Sequence, residues 1–205
     1  KCLINKTILF LFKFLFFCGR KVYAFNNQKI SIMIIVLLGY MGSGKSTIVK
    51  ELATVLNYRF LDLDDYISEK ESATIPELFQ SKGEIYFRKK ESQYLGDLLK
   101  SSENLVLALG GGTPCYGTNM QIVLQCLNVK SFYLKLSIPN LCKRLFKERE
   151  QRPLISHLSS EEALIEFVGK HLFERSPTYN MANYSVTTDG SDVDTVIENC
   201  LKILT

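Results

Sequence analysis

No cysteine in this chain has a partner at motif spacing. The six stand at 2, 18, 115, 126, 142 and 200, with no C-x-x-C pair and no His/Cys cluster. Neither a zinc module nor a disulfide framework is indicated, and the thiols are expected to be reduced and structural, in a reducing compartment such as the cytoplasm. Long apolar runs are missing too: Ile8 to Cys18 is interrupted by Lys13 and falls far short of the ~20 residues a bilayer-spanning helix needs. There is no internal repeat and no low-complexity linker.

Acidic residues are absent from the first 32 positions, which hold six basic ones: Lys1, Lys6, Lys13, Arg20, Lys21 and Lys29. The formal charge of +4 therefore belongs to this leader, because from Met33 onward 19 basic residues face 21 acidic ones. A nucleic-acid partner is not indicated by so local an excess. A basic start, an apolar stretch and Ala24 resemble a signal peptide, but Val22 and Tyr23 make a poor cleavage site. Residues 1–30 are read as a leader-like or non-native extension outside the fold, and residues 31–205 as one domain of ordinary size.

From Met33 the chain alternates short apolar runs with longer amphipathic stretches, the rhythm of a parallel sheet with helices on its faces. Met33 to Leu38 is uniformly apolar, as a central strand buried on both sides must be. Ile48, Leu52, Val55 and Leu56 recur at helical spacing, and Tyr58 to Leu61 makes a second strand. Thr74 to Glu77 with Pro76 forms a capping box for a helix ending near Gly83, and another helix is expected from Glu84 to Lys100. Leu105–Leu109, Val129–Leu136 and Tyr184–Thr187 are further strands, with helices over 120–127, from Ser137, over 161–179 and over 192–203. The polar stretch 147–160, broken by Pro153, is long enough to be a lid.

The strongest motif lies between the first strand and the first helix: GYMGSGKST at 39–47 satisfies G-x-x-x-x-G-K-[ST]. Glycines let consecutive N–H groups face a phosphate at the helix N-terminus, Lys45 can reach β- and γ-phosphates, and the Ser46 hydroxyl can meet Mg²⁺. Asp62 and Asp64 end the second strand. If that segment stays extended, residues two apart project to one side, towards the crevice at the carboxyl edge of the sheet; alternatively, they cap the next helix. Gly110 to Gly112 ends the third strand on the same edge, either to admit a ligand to bare backbone or to make a tight turn. Arg152 in the expected lid can close on a transferring phosphoryl group. Arg88 and Arg175, taken alone, read as solvated arginines, and His157 and His171 as ordinary histidines.

Six short motifs in order resemble the shikimate kinase family: GYMGSGKST, the D-x-D of LDLDD, IPELFQSKGEIYFRKKE at 75–91, GGG at 110–112, RPL at 152–154 and R-x-P-x-Y at 175–179. The resemblance covers about Met33 to Ala182 and implies a three-layer α/β P-loop kinase fold with a five-stranded parallel sheet in the order 2-3-1-4-5. It implies ATP binding by Gly42, Ser43, Gly44, Lys45, Ser46 and Thr47, with Arg152 on phosphate and Arg144 as the candidate for stacking on adenine. It further implies Mg²⁺ at Ser46 and Asp62, Asp64 as the base, and shikimate held by Asp64, Arg88, Gly111, Gly112 and Arg175. The activity implied is transfer of the ATP γ-phosphate to the shikimate 3-hydroxyl by a cytoplasmic monomer, with no nucleic-acid or membrane partner. A gluconate or nucleoside monophosphate kinase would share the phosphate loop and lid, and a regulatory module would bind ATP without turnover.

Overall fold

The computed structural model describes residues 14–18, 21–25, 32–152 and 154–204. Strands β1 (Phe14–Cys18) and β2 (Lys21–Phe25) pair with each other antiparallel, as a two-stranded sheet separate from the main one. The rest of the expected leader of residues 1–30 lies outside the described residues. Thereafter come β3 (Ile34–Leu38), α1 (Lys45–Leu56), β4 (Arg59–Asp62), α2 (Leu63–Glu71), α3 (Ile75–Leu98), β5 (Leu105–Ala108), α4 (Asn119–Gln125), β6 (Val129–Lys135), α5 (Ile138–Lys147), α6 (Glu161–Tyr179), β7 (Tyr184–Thr187) and α7 (Val193–Leu204).

The main sheet runs β4-β5-β3-β6-β7 with every pairing parallel. Counted from β3, this is the order 2-3-1-4-5. All five residues of β3 are fully buried, because the strand is central and helices cover both faces. Alternation then divides its side chains: Ile34, Val36 and Leu38 pack with Leu63, Leu78, Leu95, Leu145 and Val168, whereas Ile35 and Leu37 pack with Ile48 and Leu52 of α1 and Ile197 and Leu201 of α7. Each such side chain contributes roughly 2 kcal/mol by leaving water. The phosphate loop springs from this central, fully buried strand.

One local expectation is corrected. Strand β4 stops at Asp62 and α2 begins at Leu63, so the segment Asp62–Asp64 is not extended. The expected break at Gly83 is present: the residue takes the non-helical φ 80° and ψ 169°, and the two helical runs on either side of this kink together make α3, which continues to Leu98. The expected capping box is present, with Thr74 N–H donating to Glu77 Oε2 at 2.7 Å and Glu77 N–H donating to Thr74 Oγ1 at 3.4 Å. The triple glycine leads into a short 3₁₀ turn, Thr113–Cys115, before α4. Cys115, Cys126, Cys142 and Cys200 are free thiols. Among the described residues, no helix is long and apolar enough to cross a membrane.

Candidate active site

The loop from β3 to α1 curls around a cavity of about 420 Å³ whose wall includes Gly42, Gly44, Lys45, Ser46, Thr47, Asp62, Asp64 and Gly110. Gly44 sits at φ 92° as the N-cap of α1, a left-handed conformation that favours glycine and turns the first helical N–H groups towards the cavity. Lys45 Nζ donates to the carbonyl oxygens of Gly39 and Tyr40, both at 3.0 Å. Burial pulls its ammonium down to about 8, although Asp62 and Asp64 oppose this. The side chain of Ser43 is buried, its hydroxyl has no hydrogen-bond partner, and its N–H donates to Tyr40 O at 3.2 Å. It lines the adjoining cavity of about 110 Å³ with Arg144, Thr188 and Asp192.

Asp62 and Asp64 both face the larger cavity, but by capping rather than by strand alternation. Asp62 is the N-cap of α2: its Oδ1 accepts from Asp64 N–H at 3.0 Å while its Oδ2 accepts from Ser46 Oγ at 3.4 Å. Asp64 therefore stands in the first turn of α2. Burial raises Asp62, and burial together with Asp62 and Glu91 pushes Asp64 up to about 6, against the pull of Lys45 and Arg88. A Cβ on Gly110 would lie 3.0 Å from Asp64 Oδ1 and 2.9 Å from Thr113 Oγ1, so glycine is what lets the carboxylate lie against this loop.

Beyond the triple glycine stand two arginines. Arg88, on the kinked half of α3, donates from Nη1 to Glu91 Oε2 at 2.9 Å and from Nε to Glu84 Oε1 at 3.4 Å. Its Nη2 would be 3.2 Å from a Cβ on Gly112. Arg175, on α6, lies over the ring of Tyr40, with Nη1 3.9 Å from where a Cβ on Gly111 would be. At the other end of the cavity Arg152 donates from Nε and Nη2 to Glu148 Oε2 at 3.1 and 2.6 Å, and Arg144 Nη1 donates to Gly42 O at 3.3 Å.

Sequence reasoning missed several supporting groups. Glu91 is almost wholly buried and holds Arg88 on one oxygen while accepting from Thr113 Oγ1 at 2.5 Å on the other. Its place three residues after Arg88 on a helix was the available signal. Glu148 had the same signal, four residues before Arg152. Tyr40 and His171, 131 positions apart and hydrogen-bonded at 3.1 Å, had none.

Sheet order and loop together make this a P-loop kinase. The shikimate kinase family model matches residues 41–205. The shikimate kinase of Flavobacterium johnsoniae is 47% identical over 170 residues, spanning 83% of this chain and 98% of that protein. The crystal structure of shikimate kinase from Bacteroides thetaiotaomicron superposes with a TM-score of 0.77 at 33% identity, covering 85% of this chain and 99% of that one. That of Acinetobacter baumannii, solved in complex with shikimate, gives 0.74 at 31% identity over 85% and 93%. The chain belongs to the shikimate kinase family.

Proposed function

We propose that the chain transfers the γ-phosphoryl group of ATP to the 3-hydroxyl of shikimate, yielding shikimate 3-phosphate and ADP in aromatic amino-acid biosynthesis. The observation that carries this reading is the position of Asp64, which shares the phosphate cavity with Lys45 and Ser46 while lying against the glycine loop that leads to Arg88 and Arg175. A hydroxyl brought to that junction meets a base on one side and a γ-phosphate on the other.

Phosphoryl transfer needs little covalent help, so positioning and charge neutralisation do most of the work. Loop N–H groups and Lys45 hold the β- and γ-phosphates, and Arg152 leaves Glu148 to meet the transferring group as the 147–160 segment closes. Arg144 covers the adenine. Arg88 and Arg175 orient the acceptor carboxylate, with Gly111 and Gly112 giving it room beside the backbone. Asp64 accepts the hydroxyl proton late in the attack, and a carboxyl raised to about 6 is anionic at neutral pH yet more basic than a water-exposed aspartate.

Ser46 and Asp62 would hold Mg²⁺. Two hard oxygens 3.4 Å apart suit a cation that keeps several waters and takes its other ligands from phosphate. Among the described residues no group of three or more His, Cys, Asp or Glu side chains that could hold a metal ion is gathered, here or elsewhere. When bound, the ion neutralises charge on the β- and γ-phosphate oxygens. The kinase domain is residues 31–205, acting as a cytoplasmic monomer without nucleic-acid or membrane partners.

The test is coupled ADP release by the full chain with Mg²⁺-ATP and a panel of shikimate, gluconate and nucleoside monophosphates. Turnover with shikimate alone is the expected result. Turnover with another acceptor would discard the substrate assignment, and ATP binding without turnover would favour a regulatory module.

A further inference from the structure

Helix α6 carries His171, Arg175 and Tyr179 at four-residue spacing, hence on one face. Tyr179 Oη donates to Gly111 O at 2.5 Å. Arg175 has its guanidinium carbon 5.8 Å from the Tyr40 ring centroid, and His171 Nδ1 is 3.1 Å from Tyr40 Oη. Tyr40 is the residue after Gly39 in the phosphate loop and is 1% exposed. A position that the phosphate-loop pattern leaves open thus joins the ATP side of the site to the helix bearing an acceptor-side arginine.

The surroundings of Arg175 differ from those of Arg88. Glu91 and Glu84 hold Arg88, whereas among the described residues no ion pair involves Arg175. Its seat is an aromatic face, backed by a phenol that burial raises to about 12 and a histidine that burial and Arg175 hold below its usual range. Both groups are neutral near pH 7. Arg175 is oriented while its charge stays available to an anion.

We propose that Tyr40 and His171 are positioning residues for acceptor binding: the Tyr40 ring seats the Arg175 guanidinium, and the hydrogen bond between His171 and Tyr40 fixes that ring. Neither touches the acceptor; both act through Arg175. The inference rests on the assignment of Arg175 to the acceptor carboxylate made above.

Steady-state kinetics of the full chain test it. Tyr40→Leu, which removes the ring, is expected to raise KM for shikimate about fivefold and KM for ATP less than twofold. His171→Phe and Tyr40→Phe, which lose only the hydrogen bond, should each raise KM for shikimate about threefold, and His171→Gln, whose amide can still bond the hydroxyl, should recover most of the loss. The deciding measurement is a double-mutant cycle on kcat/KM with Arg175→Ala. Tyr40→Leu added to Arg175→Ala should lower kcat/KM no further; losses that multiply, or KM values for both substrates that rise in parallel, would overturn the proposal. Should Tyr40→Leu fail to fold, Tyr40→Phe replaces it in the cycle. Wild-type turnover on some other acceptor would overturn the shikimate reading alone, and the same cycle on that acceptor would still decide whether Tyr40 acts through Arg175.

Discussion

In the proposed reaction, residues 39–47 form the phosphate cradle from one unbroken stretch of chain, whereas the acceptor side draws Asp64, Arg88, the glycine loop 110–112 and Arg175 from four segments. The cradle works largely through backbone N–H groups, which need only a local run of glycines and a helix start. The acceptor side, as proposed, would work through side chains, each aimed by a different helix or loop and two of them in contact with a partner, Arg88 with Glu91 and Arg175 with Tyr40. The first can be read from one motif, and the second depends on the whole domain.

Asp64, where the two halves meet, gives the largest expected effect. Asp64→Asn keeps the shape and removes the proton acceptor, so kcat should fall roughly 10²- to 10⁴-fold with both KM values nearly unchanged, measured by coupled ADP release. A loss below tenfold would take the base role away from it. The next pair separates the halves. Lys45→Ala should lower kcat about 10²- to 10³-fold and weaken ATP binding. Arg88→Lys keeps the charge but loses the planar fork, and should raise KM for shikimate about tenfold while leaving KM for ATP unchanged. Equal damage to both KM values by Arg88→Lys would erase the division.

The smallest effect concerns the scaffold of the acceptor side. Glu71 at the end of α2 accepts from Tyr86, Tyr94 and Lys82 of α3 at 2.6, 2.7 and 3.1 Å, and these bonds draw its carboxyl from 4.5 down to about 2. A depressed carboxyl stabilises the fold above its unfolded value and loses that contribution as pH falls through its folded one. Glu71→Gln should therefore lower Tm at pH 7 by about 2–4 °C, for a loss of about 1 kcal/mol. The gap from wild type should narrow between pH 4.5 and 2. A gap independent of pH would assign the effect to packing rather than charge.

Several features are legible in the order of residues. Five consecutive apolar residues mark β3, and alternating apolar runs and amphipathic stretches mark the parallel sheet. The motif at 39–47 marks the phosphate loop, and Thr74 with Glu77 marks the start of α3. Other features need the third dimension. Asp62 and Asp64 do share a cavity, but because Asp62 caps α2 and holds Asp64 in its first turn. Ser43 belongs to the motif, yet its hydroxyl turns inward.

The sequence alone determined the strand-and-helix alternation, the phosphate loop and the family, because periodicity, glycine placement and motif order are properties of neighbouring residues. Only the tertiary structure decided that Glu91 ties Arg88 to Thr113, that Gly110 makes room for Asp64, and that Tyr40 meets His171 and Arg175. Those contacts reach across tens to more than a hundred positions, and the sheet order and helix packing that bring the groups together are set by burial across the whole domain.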